Sequence, residues 1–345
     1  MKPDFTQIKS KIKLKISRNA SSNAVKPDNP TGDDIDLERE SILEGGKKYI
    51  KPLNLSHRQA LKVTAIILSS LVLVVISIFA VLIYHYQSDS DLVYGASKVI
   101  PYPVGTVDGS LITYEDYLFE LRTLKSSANS QMGEDQNVDF STKEGQEQLE
   151  TLKTLAITEA QRKIVTRNLA RENGIRISRS DLSTEIDHFI EQEGGQEQLE
   201  EAIDSFFGWS MGDFRKVIRL QMLEKELMLD TANSVLSRVH DGEDFAELAQ
   251  NFSSDGSAVE GGDLGFINEE TPFVEEFKEV ALSLEVGEVS DLVETQFGFH
   301  IIKATDESDE GIRVSHILLD RSSIQKQVQE RLEEANPRVF IDINI

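Results

Sequence analysis

Val63 to Tyr84 runs for 22 residues without a charge and is built mainly of Ile, Leu and Val; no other stretch restricts the fold of this chain as severely. At 1.5 Å per residue a helix of that length covers about 33 Å, enough to cross a hydrocarbon core of roughly 30 Å. A buried helix in a soluble core is the competing reading, but few soluble helices are apolar on every face for six turns. A cleaved signal peptide fits worse. Its apolar region runs about 7 to 15 residues behind a short leader, whereas this one is longer and follows 62 residues. Lys47, Lys48, Lys51, Arg58 and Lys62 crowd the N-terminal flank, and Asp89 and Asp91 follow the stretch. The positive-inside rule therefore orients a single pass through the cell membrane with the N-terminus cytoplasmic and everything after Tyr86 extracytoplasmic.

Residues 1–62 are rich in Ser, Asn, Lys and Asp and lack a sustained apolar period, the composition of a disordered tail. They hold 13 of the 36 basic and 8 of the 60 acidic residues, so the remainder carries 23 basic against 52 acidic residues. That surplus argues against a nucleic-acid partner and against docking on an anionic lipid surface. Cysteine is absent, which excludes thiolate nucleophiles, disulfides and cysteine-ligated zinc. The histidines, His57, His85, His188, His240, His300 and His316, show no paired ligand spacing, so no metal and no other cofactor is expected.

Beyond the linker 85–100 the pattern turns to strand and helix. Val99 to Val107 is extended and Pro-containing, Gly105-Thr106-Val107-Asp108-Gly109-Ser110 reads as a short strand with a turn, and Thr113 with Asp116 as a capping-box helix start. Lys125 to Thr142 reads as a polar insertion, followed by a helix from about Gln146 to Asn173 that Gly174 ends. Ser178 with Asp181, and Ser210 with Asp213, are two further capping-box starts; the second opens a long helix through Phe214, Ile218, Leu223 and Leu227.

The densest pattern spans Asp244 to Lys303. Phe245, Leu248, Ala249 and Phe252 recur at helical spacing, a Gly-rich loop ends in Gly262-Asp263-Leu264-Gly265, and Phe273, Phe277, Val280 and Ala281 mark a second helix face. Phe299-His300-Ile301-Ile302-Lys303 then reads as a buried strand. Written out as DFAELAQNFSSDGSAVEGGDLG and TQFGFHIIK, these residues resemble the parvulin-type peptidyl-prolyl isomerases over about sixty positions. The resemblance implies a site in which Asp255 faces the imide of an X-Pro bond. It matches Leu264, Phe273 and Phe277 to the apolar floor that holds proline, with one residue more than the usual family spacing between Gly265 and Phe273. Thr295, His300 and His316, the last in the strand Val314-Ser315-His316-Ile317-Leu318-Leu319, would form a hydrogen-bonded support. Only Arg321 follows that strand, so the basic cluster of the phosphate-directed parvulins is missing.

The order of elements from Val104 to Leu229 resembles the helical chaperone region of the SurA and PrsA foldases, which is completed by a returning helix and strand; Ser322 to Glu334 and Arg338 to Ile343 fill those places. The expected class is α+β: a disordered tail 1–62, a transmembrane helix 63–84, a linker 85–100, a chaperone domain 101–236 completed by 322–345, and a parvulin-like domain 237–319. One feature departs from the family. The strand carrying "SHIL" usually begins a parvulin domain, yet here it follows the closing strand, and Leu227 to His240 before the first parvulin helix reads as continuous helix. With Thr305 to Ile312 as a hairpin link, the domain would be circularly permuted and His316 would return beside His300. The implied function is a membrane-anchored foldase that isomerises X-Pro bonds in unfolded or secreted polypeptides. The alternative is a holdase that uses the same fold only as a peptide-binding surface.

The charge asymmetry makes the first testable statement. Protease added to wall-stripped cells should digest the region after Tyr86 and spare 1–62; protection of the C-terminal region would contradict the orientation.

Overall fold

The computed structural model describes residues 39–41, 56–130 and 138–342, and most of the expected tail lies outside them. By contacts the chain divides into Met1–Val72 and Leu73–Ile345. Helix α1, His57–Tyr84, begins six residues before the apolar stretch, because Ser56 starts it: the Ser56 hydroxyl and backbone N–H both donate to Gln59 Oε1 at 3.1 Å. Among the described residues it is the one helix long and apolar enough to cross a membrane.

The segment expected as a linker is instead folded. Helix α2, Asp91–Ser97, buries Val93 and Tyr94. Strands β1 (Pro103–Val107) and β2 (Ser110–Thr113) form a hairpin, and β7 (Arg338–Val339) pairs with the other edge of β1. Gly105 is required at this junction, since a Cβ there would lie 2.5 Å from the Arg338 carbonyl oxygen. The returning strand is shorter than the expected Arg338 to Ile343. After β7 the chain turns Ile341 into the core, and residue 343 lies outside the described set.

Helices α3 (Tyr114–Ser130) and α4 (Lys143–Glu172) pack on this hairpin. The Thr113–Asp116 box forms as its spacing predicts, with both reciprocal bonds present at 3.1 Å. The expected polar insertion is partly helix: α3 runs on to Ser130, and Phe140 packs against the core. Helix α10, Arg321–Ala335, supplies Ile324, Val328 and Leu332 to the core that holds Val104, Leu118 and Ile157. A smaller core joins α5 (Arg179–Gln192), α6 (Gln196–Phe207) and the start of α7 (Met211–His240) through Leu182, Leu199 and Phe214.

A second sheet has the strand order β3 (Asp263–Ile267), β6 (Gly311–Leu319), β5 (Gly298–Ser308), β4 (Val293–Thr295), antiparallel throughout. Alternation along β5 and β6 divides their side chains between two faces. Phe299, Ile301, Ile317 and Leu319 pack with Ala232 and Val235 of α7 and Phe245 and Leu248 of α8 (Phe245–Phe252). Ile302, Ala304 and Val314 pack with Phe277 and Ala281 of α9 (Glu275–Ser283). The stretch expected as a link is mostly strand: β5 and β6 extend through Ser308 and from Gly311, leaving Asp309-Glu310 as the turn.

Asp213 ties the helical region together. It completes the capping box of α7 with Ser210, accepts the Tyr94 hydroxyl at 3.0 Å and pairs with Lys98 at 3.1 Å, while only 4% exposed. Burial pushes its carboxyl up, but the bonds from Ser210, Lys98 and Tyr94 outweigh this and hold it below the ordinary range. Asp213→Ala strands a buried hydroxyl and an ammonium together with the helix start, so unfolding in urea should show a loss of about 3 kcal/mol. A loss below about 0.5 kcal/mol, the level of a plain surface substitution, would show that α2 is not held this way.

Candidate functional site

Four polar side chains from three strands and a loop meet on the α9 face of the second sheet. Thr295 ends β4, and its Oγ1 lies 2.9 Å from His300 Nε2 on β5. His300 Nδ1 is 3.3 Å from His316 Nδ1 on β6, and His316 Nε2 is 3.0 Å from Asp255 Oδ2 in the loop after α8. Each imidazole is 5% exposed. The two histidines come together because Ile302 pairs with His316, and His300 with Leu318, across the β5–β6 ladder; both rings leave the same face of adjacent strands.

The direction of the bond between His316 and Asp255 follows from the carboxylate. Burial raises its carboxyl, but hydrogen bonds from Ser253, His316 and Ser257 more than offset this and hold it well below the usual carboxylate range. An ionised carboxylate only accepts, so His316 Nε2–H donates to it. His300 Nδ1 and His316 Nδ1 share one hydrogen bond, and His300 Nε2 pairs with the Thr295 hydroxyl, the donor in each being set by the ring tautomer. Thr295 Oγ1 is in turn fixed by the Phe297 N–H at 3.1 Å. His300 is kept neutral by burial first and by the neighbouring His316 second, against the opposing charge of Asp255; together they lower it to about 4.

Phe277 lies beneath both rings, edge-to-face at 5.2 Å from His300 and 5.7 Å from His316, and 5.0 Å from Phe273. At 2% exposure it supports the rings from within the core, whereas Leu264 and Phe273 are half-buried at the margin of that core. All seven residues singled out from the sequence thus fall in one region. Two that were not singled out hold it in place. Ser253 donates to Asp255 Oδ1 at 2.6 Å and accepts the Leu318 N–H at 2.9 Å. Ser254 donates from both its backbone N–H and its hydroxyl to the Leu318 carbonyl at 2.8 Å. The signal for Ser253 was present, since it stands inside the motif that carries the family resemblance; its partner Leu318 lies 65 residues away. Gly262 allows the same close approach, because a Cβ there would lie 2.1 Å from the His316 carbonyl oxygen.

Residues 217–308 match the family model of the PPIC-type PPIase domain. The chain is 40% identical over 136 residues to the foldase protein PrsA of Oceanobacillus iheyensis, covering 36% of this chain and 44% of that one. It is 37% identical over 118 residues to foldase protein PrsA of Bacillus subtilis, covering 32% and 40%. In these matches the chain spans less than half the length of the curated relatives. A crystal structure of PrsA from Bacillus subtilis aligns over 55% of this chain and 80% of its own, at 23% identity and a TM-score of 0.22. Residues 217–308 thus carry a parvulin-type, PPIC-type PPIase domain, and about a third of the chain is similar to the PrsA foldases. The family match stops at the end of β5, so β6 with His316 lies beyond it.

The His300 environment sets a pH dependence. An unfolded histidine titrates near 6.5 and the folded one near 4, so between those values the unfolded chain binds the extra proton and stability falls as pH falls. At about 1.4 kcal/mol per pH unit this amounts to about 3 kcal/mol. The Asp255 contribution is fully present across the same window, since it is lost only below the ordinary carboxylate range. Urea midpoints measured from pH 7 to 4.5 should decline, and His300→Gln should flatten the decline; an unchanged slope in that variant would contradict a buried neutral ring.

Proposed function

We propose that this protein is a membrane-anchored extracytoplasmic foldase that isomerises X-Pro bonds in translocated polypeptides through a circularly permuted parvulin domain, residues 237–319. A chaperone domain, 101–236 completed by 322–345, holds the client. The observation that carries the catalytic reading is the continuous hydrogen-bonded chain Thr295–His300–His316–Asp255 above Phe277. The permutation is supported by the sheet order β3-β6-β5-β4 and by the unbroken α7, which leads into α8 with no strand between them. Anchoring is supported by α1 and its flanking charges.

Rotation about the imide breaks no covalent bond but faces a barrier of about 18 to 20 kcal/mol. In this site Leu264 and Phe273, backed by Phe277, would take the proline ring into an apolar surface. Removing water from the imide weakens its charge-separated planar form, and binding the twisted form more tightly than either planar one lowers the barrier. Asp255 is held anionic and immobile at the edge of that surface, where its charge opposes electron density moving onto the imide oxygen. The two histidines are positioning groups that fix Asp255 and need pass no proton. A ten-thousandfold acceleration requires only about 5.5 kcal/mol of such differential binding.

A tetrapeptide isomerisation assay tests this reading. The wild-type chain should accelerate the cis-to-trans step, and Asp255→Ala should lower kcat/KM by about tenfold or more, the equivalent of at least 1.4 kcal/mol. Absence of acceleration by the wild type, with suppression of client aggregation intact, would favour the non-catalytic holdase.

A further inference from the structure

We propose that the folded domain sits flush on the membrane, with Val99 and Phe340 immersed in the interfacial zone of the leaflet that α1 leaves. This inference rests on α1 being a membrane span. The observation behind it is that the apolar helix does not end before the domain begins. Ile83 is fully buried, and Ile76, Phe79, Ala80 and Leu82 pack against the core that contains Tyr102 and Val104. The Tyr102 hydroxyl donates to the Ile76 carbonyl at 3.1 Å, and the Tyr84 hydroxyl to the Pro103 carbonyl at 2.8 Å. The chain at Tyr102 and Pro103 therefore lies alongside the last turns of α1, over about 12 Å of its length.

Length then decides where the bilayer must reach. Val63 to Val75, ahead of the gripped turns, gives about 20 Å against a hydrocarbon core of roughly 30 Å. Starting at Leu61 instead adds only about 3 Å. The missing depth can come only from Ile76 to Leu82, and whatever depth those residues reach, Tyr102 and Pro103 reach with them. Two large apolar side chains stand exposed beside that stretch, among the exposed Lys98, Arg338 and Asp342. Val99 is 81% exposed and Phe340 53%; the Phe340 N–H donates to the Val104 carbonyl at 2.8 Å, and Gln87 Nε2 donates to the Asp342 carbonyl at 2.6 Å, which brings Asp342 to the exit of α1. Tyr84, 41% exposed, stands where an interfacial aromatic belongs. The acidic surplus of the domain offers no attraction to anionic lipid, so the seat is held by apolar contact and by the covalent helix. Lipid acyl chains, continuous with those around α1, are its occupant.

Because the chain has no cysteine, single substitutions Leu68→Cys, Val99→Cys, Phe340→Cys and Val259→Cys each give one labelling site for an environment-sensitive fluorophore. The full chain is reconstituted in phosphatidylcholine vesicles with or without lipids spin-labelled near the headgroup, and circular dichroism checks each variant's fold. Labels at Val99 and Phe340 should shift to the blue and lose most of their emission to the spin-labelled lipid. The label at Val259, as exposed as Val99 but on the loop beside Asp255, should be quenched only by an aqueous quencher. Two results overturn the proposal while leaving the span intact, both with Leu68 shielded within the bilayer: Val99 and Phe340 no more lipid-quenched than Val259, or Val99 and Phe340 hidden from both quenchers, which would mean that a protein surface covers them. A Leu68 label open to the aqueous quencher would overturn the span and this seat together. None of these readouts uses isomerase activity, so the catalytic reading is judged separately.

Discussion

The ladder between β5 and β6 carries His316 to His300, and the serine clip at Leu318 carries Asp255 to His316; without that pairing the polar groups of the site belong to separate parts of the chain. Both histidines are buried in a sheet whose opposite face is also covered, so neither has water as an alternative partner. An unmade bond in that setting costs the desolvation of the group, about 1–3 kcal/mol, and this makes the network all-or-none. The same burial that makes the bonds obligatory keeps His300 uncharged, and the same serine that clips the loop to β6 keeps Asp255 charged. Both groups are thus held below their ordinary range by one local arrangement, His300 left uncharged and Asp255 charged.

Helix α7 sets how that sheet relates to the rest of the domain. Its first turns pack among α5 and α6, its middle lies in the core shared with α10, and its last turns cover the face of β5 and β6 opposite the imidazoles. A single 30-residue helix of about 45 Å therefore contributes to three cores. Strand β6 runs into α10 with Asp320 capping the helix, which returns the chain to the first core. Under the proposed permutation this connection follows directly: the displaced strand leaves the sheet next to the helix that completes the chaperone domain. Ion pairs of Lys225 with Glu294 and Glu224 with Arg321 add polar contacts along the same seam.

Much of this was legible in the sequence where the physics is local. Capping boxes at Thr113 and Ser210 form, and Ser178 accepts the Asp181 N–H, because a short side chain at a helix start meets free N–H groups whatever the tertiary context. The apolar run, the alternation along β5 and the apolar residues around Phe277 were equally visible. What was misread depends on distant partners. The segment 85–100 has linker composition, yet Tyr94 finds Asp213 119 residues later and becomes core. Thr305 to Ile312 looked like a link because its acidic residues hide a ladder that continues through Ser308 and Gly311. Ser254 was not singled out because its partner, the Leu318 carbonyl, lies 64 residues away.

The central claim, that β6 enters from β5 and completes the site, has a direct covalent test. Ile302 and Ala304 turn their backbone groups toward Glu288 and Ser290 on the other side, so Ala304 and Val314 face each other as a non-hydrogen-bonded pair, the closer kind in an antiparallel ladder. Both are fully buried, and two cysteines nearly match their combined volume. In the otherwise cysteine-free chain, Ala304→Cys with Val314→Cys should close a disulfide on mild oxidation, detected by mass and by loss of alkylatable thiol, with tetrapeptide isomerisation retained. Two free thiols in the folded, oxidised chain would contradict the pairing, and a disulfide that forms only with loss of isomerisation would contradict its place in the active site.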